Sequence, residues 1–218
     1  MLPQQEISTR RQLLQLLKTQ GNCCISDLSK ELGITEMAVR RHIHSLERDN
    51  LIRSVLVRQA MGRPLYRYSL TEQADDLFPK NYPQLTLDLL SELEEQTGGS
   101  EVIDRMFQGR KDKLESRYRE RMLDRPLADK VSELSSIQNS GGYMTEWMEA
   151  EEDGTFVLYE YNCPIAQVAN RYRQACHCEQ QLFEQLLGAS VERTECLADG
   201  GARCTYAIRP VKANLINN

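Results

Sequence analysis

The chain has 218 residues, seven cysteines and a formal charge of −5, with 40% hydrophobic and 27% charged residues. That length suits one large or two small domains, and the composition is ordinary for a soluble protein. No apolar run approaches the roughly 20 residues that span a bilayer, so a membrane-crossing class is excluded. The opening Met1–Glu6 lacks a basic end followed by an apolar core. No secretory signal is therefore expected, and the setting is read as cytoplasmic with reduced thiols. The odd cysteine count also argues against a fully paired disulfide framework.

The charge is uneven. Residues 1–68 hold 11 Lys+Arg against 6 Asp+Glu, while the rest hold 16 against 26. A basic part on an acidic chain suits a local phosphate-binding face, although small domains also vary this much by chance.

Ser8–Gln20 predicts a helix with Leu13, Leu14, Leu16 and Leu17 on one face and Gly21 as its stop. Ser26 is placed to cap a second helix through Leu28 and Leu32, which Gly33 closes. Thr35 can cap a third, with Val39, Ile43 and Leu46 inward. Glu36, Arg40, Arg41 and His44 then face outward. Two helices joined by Gly33-Ile34 predict a helix-turn-helix whose second helix enters a major groove. Alone, those outward charges would read as a solvated helix face. Cys23 and Cys24 are too close together to clamp a metal by themselves and read as core or loop residues.

Leu51–Val57 and Leu65–Leu70 read as strands flanking the turn at residues 59–64, a wing with Arg63 at its tip. Such a tip reaches a minor groove or a phosphate. Thr71 is placed to cap a helix through Leu77-Phe78, ended by Pro79. The run Gly62-Arg63-Pro64-Leu65-Tyr66-Arg67-Tyr68-Ser69-Leu70-Thr71 resembles the wing of winged-helix bacterial repressors. Residues 1–80 are therefore expected to form a winged-helix domain that binds double-stranded operator DNA.

Residues 81–140 read as three helices. The first carries Leu85, Leu87, Leu89, Leu90 and Leu93; the second is long and charged, capped by Ser100; the third carries Leu127, Val131, Leu134 and Ile137 and ends at Gly141-Gly142. Their narrow apolar stripes predict a linker and a homodimer interface, because one winged helix reads only half a two-fold site.

Residues 141–218 read as a small α+β domain: strands at 143–149 and 155–161 across an acidic turn at 150–154, a helix opening at Pro164, a helix over Tyr172–Leu187, and a last hairpin across Asp199-Gly200-Gly201. The whole is an α+β chain: a winged helix, central helices and a small cluster-binding domain. Five of the seven cysteines lie between Cys163 and Cys204. Reduced thiols gathered in one region point to a metal centre, iron–sulfur in preference to zinc, because no Cys-x2-Cys knuckle is present.

The wing, Asn162-Cys163-Pro164, the twelve residues between Cys163 and Cys176, Leu186-Leu187-Gly188 and the closing Gly-x-x-x-Cys204-x-Tyr206 resemble the SufR family, cyanobacterial iron–sulfur-sensing repressors of the suf cluster-assembly operon. The resemblance runs over nearly the whole chain. It implies no enzyme but a homodimeric repressor with one 4Fe-4S cluster per subunit, bound to operator DNA when loaded and released when the cluster is lost or oxidised. It implies Cys163, Cys176 and Cys204 as ligands. The fourth cysteine described for some members would fall near Ser190, where this chain has none. Cys178 is preferred in its place as the softest donor, with His177, Cys196 and Asp199 as alternatives. A thiol-redox or zinc-stabilised regulator without a cluster is the rival reading. A Cys163–His177 hydrolase is a third, without any recognisable oxyanion site.

Overall fold

The structure, a computed structural model, describes residues 8–60, 62–150 and 154–211. Met1–Glu6, Met61 of the expected wing turn and residues 151–153 of the expected acidic turn lie outside the described residues. The chain divides into two compact units, Met1–Lys80 and Asn81–Asn218.

The first unit holds α1 (Thr9–Gln20), α2 (Ile25–Leu32), α3 (Glu36–Arg48), β1 (Ile52–Val57) and β2 (Leu65–Leu70). The Ser8 hydroxyl accepts from the Arg11 amide and the Thr35 hydroxyl from the Ala38 amide, so α1 and α3 start where expected. Each such cap contributes about 1 kcal/mol. The α2 start differs. Cys24, not Ser26, occupies the cap, because Asp27 reaches back to accept from the Cys24 amide (3.2 Å) and thiol (2.9 Å). Gly33 closes α2 at φ +64°, a left-handed conformation that glycine adopts without side-chain strain. Leu13, Leu17, Leu28, Val39, Ile43 and Leu46 are all within 2% of complete burial. β1 and β2 pair antiparallel, Ile52 opposite Leu70 and Val57 opposite Leu65. Cys23 and Tyr68 exchange backbone hydrogen bonds of 3.1 and 2.8 Å, which stitch the wing to the loop before α2. Arg10 reaches Ser45 on α3 and Asp49 just after it, at 2.9 and 2.6 Å. After β2 the chain makes a 3-10 turn (Glu72–Leu77) in place of the expected α-helix. The Thr71 hydroxyl donates to the Asn50 carbonyl instead of capping.

The second unit holds α4 (Tyr82–Glu94), α5 (Gly99–Met122), α6 (Leu127–Ser140), β3 (Thr145–Glu149), β4 (Phe156–Glu160), α7 (Ala166–Arg171), α8 (Gln174–Leu187), β5 (Ala189–Glu195) and β6 (Cys204–Pro210). The strands form one antiparallel sheet in the order β3-β4-β6-β5. Phe156, Leu158, Tyr206 and Ile208 alternate onto its inner face. Met122, Val131, Leu134 and Ile137 from α5 and α6 share that core with Leu182, Phe183, Leu186 and Leu187 of α8. Helices of 81–140 thus share a core with the sheet and α8, and a second, smaller cluster gathers Leu90, Ile103 and Tyr172. Phe183 and Tyr206 meet edge to face at 5.0 Å, worth about 1 kcal/mol beyond their burial. Gly98 and not Ser100 precedes α5, and a Cβ on Gly99 would stand 2.0 Å from the Leu93 carbonyl oxygen. The expected helix over Tyr172–Leu187 begins at Gln174 as α8, with Cys176 in its first turn.

One polar network sits inside this unit. Glu160 is 1% exposed and accepts from the Gln138 amide at 2.8 Å. The Tyr206 hydroxyl lies 2.9 Å from Glu179 and 3.5 Å from Glu160. Burial pushes both carboxyls above the usual range, and the Glu179 charge pushes Glu160 further. Carboxyls raised in the fold hold protons that the unfolded chain has released, so stability falls as pH rises from the ordinary carboxylate range through the folded values. Glu160→Gln, neutral at every pH, should melt higher than wild type near neutral pH, by on the order of 1 kcal/mol, and should flatten the fall. Melting curves across pH check this; a variant destabilised at all pH values would contradict it.

Candidate DNA-reading face and thiol site

In the first unit, the burial of Val39, Ile43 and Leu46 turns the opposite face of α3 to solvent. Glu36, Arg40, Arg41 and His44 all lie exposed on it. Glu36 holds Arg40 at 3.2 Å one turn away, and His44 stands 3.8 Å from Glu47. Both are exposed pairs that a phosphate or a guanine edge could replace at small cost. Arg63 is exposed in the wing. Three further exposed arginines escaped the motif search: Arg53 beside Ser69, Arg58, and Arg67, whose guanidinium donates to the Asn22 carbonyl at 2.9 Å. A signal was available, since no Asp or Glu occurs between Leu51 and Thr71.

In the second unit, Cys163 lies between β4 and α7, Cys176 in the first turn of α8, Cys196 just after β5 and Cys204 at the start of β6. The register places Glu160 opposite Cys204, so the end of β4 delivers Cys163 to the end of the sheet that holds Cys204. The Leu197 amide donates to the Cys204 sulfur at 3.4 Å, and the Ile165 amide donates to the Cys163 sulfur. The Cys196 thiol lies close enough to the Cys176 thiol to raise it. Cys176, Cys196 and Cys204 are buried in the same apolar cluster, with half-buried Cys163 packed against it. Burial first, then the Cys196 charge, pushes the Cys176 thiol up to about 11. Burial likewise pushes Cys204 up to about 12 and raises Cys163. Cys163 also lines an apolar cavity of about 580 Å³ with Leu90, Phe107 and Val168.

Cys178, the expected fourth ligand, lies outside this group of thiols. An α-helix turns about 100° per residue, so Cys176 and Cys178 face apart. Cys178 faces α5 instead, among Lys111, Arg110, Asp104 and Asp112. His177 points to solvent. Asp199 is held by Arg173 at 2.9 Å. The spacing alone could not separate these candidates, because the helix phase was unknown.

The donor set suits a thiolate-bound cluster: soft sulfurs in an apolar shell with backbone amides aimed at two of them. Among the described residues, no three His, Cys, Asp or Glu side chains form a group able to hold a single metal ion. A four-iron cluster is wider than an ion and takes its thiolates from farther apart.

Residues 8–54 match the family model described as bacterial regulatory protein, arsR family. That segment covers α1, α2, α3 and the first residues of β1, and the structure continues it into the β1–β2 wing. Comparison with curated proteins gave no match. Among solved structures, the adhesin competence repressor AdcR from Streptococcus pyogenes is similar at 23% identity and a TM-score of 0.30, over 50% of this chain and 81% of that one. An apo double-mutant form of ZitR from Lactococcus lactis is similar at 23% identity and a TM-score of 0.29, over 49% and 81%.

The thiol environment makes a kinetic prediction. Thiolates are the reactive form, so buried thiols with raised values react slowly. In the folded, metal-free chain near neutral pH, alkylation followed by peptide mass spectrometry should mark Cys163 well before Cys176 and Cys204. Equal rates at all three in the folded chain would contradict the burial described here.

Proposed function

We propose that the protein is a DNA-binding transcriptional repressor whose C-terminal unit senses iron–sulfur status, acting on genes of suf-type cluster assembly. The reading assigns Cys163, Cys176 and Cys204 to a 4Fe-4S cluster, one per subunit. The observation that carries it is the convergence of these thiols, from three separate elements, on one buried end of the sheet. A helix-turn-helix in the same chain supplies the output.

When bound, the cluster would supply a redox-sensitive cross-link between the β4–α7 loop, α8 and β6. Cys163 holds the α7 entry, Cys176 the first turn of α8 and Cys204 the strand between them. Arg40, Arg41 and Arg63 meet operator DNA, with Glu36 and His44 beside them in the groove. A homodimer matches two half-sites. Tyr82, Leu85 and Leu89 stand exposed along one side of α4 and support a second copy as the partner that covers them. Without it, the elements that carry Cys163, Cys176 and Cys204 would no longer be tied together, and repression would be relieved.

A second reading is favoured by one juxtaposition, the Cys176 and Cys196 thiols in one buried cluster. Hydrogen peroxide could take two electrons and two protons from that pair, leaving a disulfide and water. Isolation without oxygen separates the two. The cluster reading expects a brown protein with about four irons and four acid-labile sulfides per chain. A colourless protein with zinc or no metal, cross-linking Cys176 to Cys196 under peroxide, would establish the second.

The DNA assignment has its own test. Arg40→Ala and Arg63→Ala should each weaken operator binding, and loss of a phosphate contact should lower the salt slope by about 1. Unchanged affinity and slope in both variants, measured by titration at several salt concentrations, would refute the groove assignment.

A further inference from the structure

The cluster reading assigns three ligands and leaves one open. The described residues near the site narrow the choice. His177 is exposed, Asp199 is committed to Arg173, and Cys178 lies on the α5 side of α8. Cys196 has the opposite placement. It is 7% exposed and belongs to the same buried cluster as Cys176 and Cys204. Its thiol shares that cluster with the Cys176 thiol and is near enough to raise it. The amide of the very next residue, Leu197, donates to the Cys204 sulfur at 3.4 Å. Cys196 is also the thiol neighbour common to Cys163, Cys176 and Cys204.

The local backbone is built to keep it there. Glu195 pairs with Thr205, so Cys196 and Cys204 bracket the turn that joins β5 to β6. The Cys196 carbonyl accepts from the Asp199 and Gly201 amides at 3.1 and 2.9 Å. A Cβ on Gly201 would stand 2.8 Å from that carbonyl oxygen, a distance that would force the turn open. Gly200 takes a left-handed φ of +87° in the same turn. Two glycines thus let the chain fold back tightly enough to bring Cys196 beside Cys204. Arg193, two residues before the turn's first strand ends, donates to the Cys176 carbonyl at 3.0 Å and lies beside both Cys176 and Cys196. It places a fixed positive charge next to the thiols, where an anionic thiolate-bound cluster needs one.

We propose that Cys196 is the fourth thiolate ligand, completing a four-cysteine site with Cys163, Cys176 and Cys204. The proposal rests on the cluster reading above. It makes the site a four-thiolate centre, with β5, β6, α8 and the β4–α7 loop each contributing one sulfur. Arg193 acts as a positioning residue through the Cys176 carbonyl and as the counter-charge.

The experiment compares wild-type protein, Cys196→Ser and Cys178→Ser after anaerobic reconstitution with ferrous iron and sulfide. Iron, sulfide and the electron paramagnetic resonance spectrum are measured for each. Cys178→Ser should keep the wild-type content and spectrum. Cys196→Ser should lose iron, either to a three-iron cluster with its own resonance signal or altogether. Because Cys196 is buried, circular dichroism of the metal-free variant checks that it folds. Mössbauer spectra of isotopically enriched wild-type protein need no variant at all. Four sulfur-ligated irons are expected there, and one iron with a nitrogen or oxygen ligand would overturn the proposal. So would a Cys196→Ser protein with unchanged content and spectra. If the wild-type protein takes up no iron and sulfide, the cluster reading fails and this proposal with it; if it takes them up and only the Cys196 results are negative, the proposal fails alone.

Discussion

The β5–β6 turn carries more of this structure's chemistry than any other segment. Its two ends bring Cys196 and Cys204 together, and its backbone amides point at a sulfur and at the Cys196 carbonyl. The sheet register then adds β4, whose last residue lies opposite Cys204, and so adds Cys163. Packing of α8 across the sheet, fixed by Phe183 against Tyr206, adds Cys176. Four thiols far apart in the chain become neighbours because three strands and one helix end at the same place. A glycine at position 201 is the steric condition for that meeting.

Polar burial accompanies this site. Glu160, Glu179, Tyr206 and Gln138 form a hydrogen-bonded group inside the same unit, with Arg193 over the Tyr206 ring at 6.0 Å. Buried carboxyls are costly unless hydrogen-bonded or protonated; these are hydrogen-bonded, and burial shifts both toward the protonated form. The group therefore sets an electrostatic background for the thiols: acids on one side, a guanidinium on the other. Thiols held protonated by burial give up their protons only to a strong competitor, and metal is the strongest competitor for sulfur.

Much of the architecture was legible in the sequence. The leucine spacing of α1, the glycine stops at Gly21 and Gly33, the Thr35 cap and the β1–β2 wing all follow from local rules, and the structure has them at those positions. The misses have local causes too. A cysteine capped α2 because Asp27 could reach back to it, a pattern hidden by the usual preference for serine. The two helices expected from Pro164 and over Tyr172–Leu187 are present as α7 and α8. Which of Cys176 and Cys178 faces the sheet depends on how α8 is rotated against it, and sequence spacing does not give that rotation. The arginines of β1 and β2 were visible as charge, but their exposure depended on which strand faces meet the core.

The central claim is coupling: a site in one unit alters DNA affinity in the other. Its most direct test is an operator titration of cluster-loaded and cluster-free protein side by side, without oxygen and at one salt concentration. Coupling free energies between sites run to about 1–3 kcal/mol, or roughly 5- to 150-fold in affinity. Tighter binding by the loaded protein, within that range or above it, is the expected result. Equal affinities for the two forms would contradict the sensor role outright.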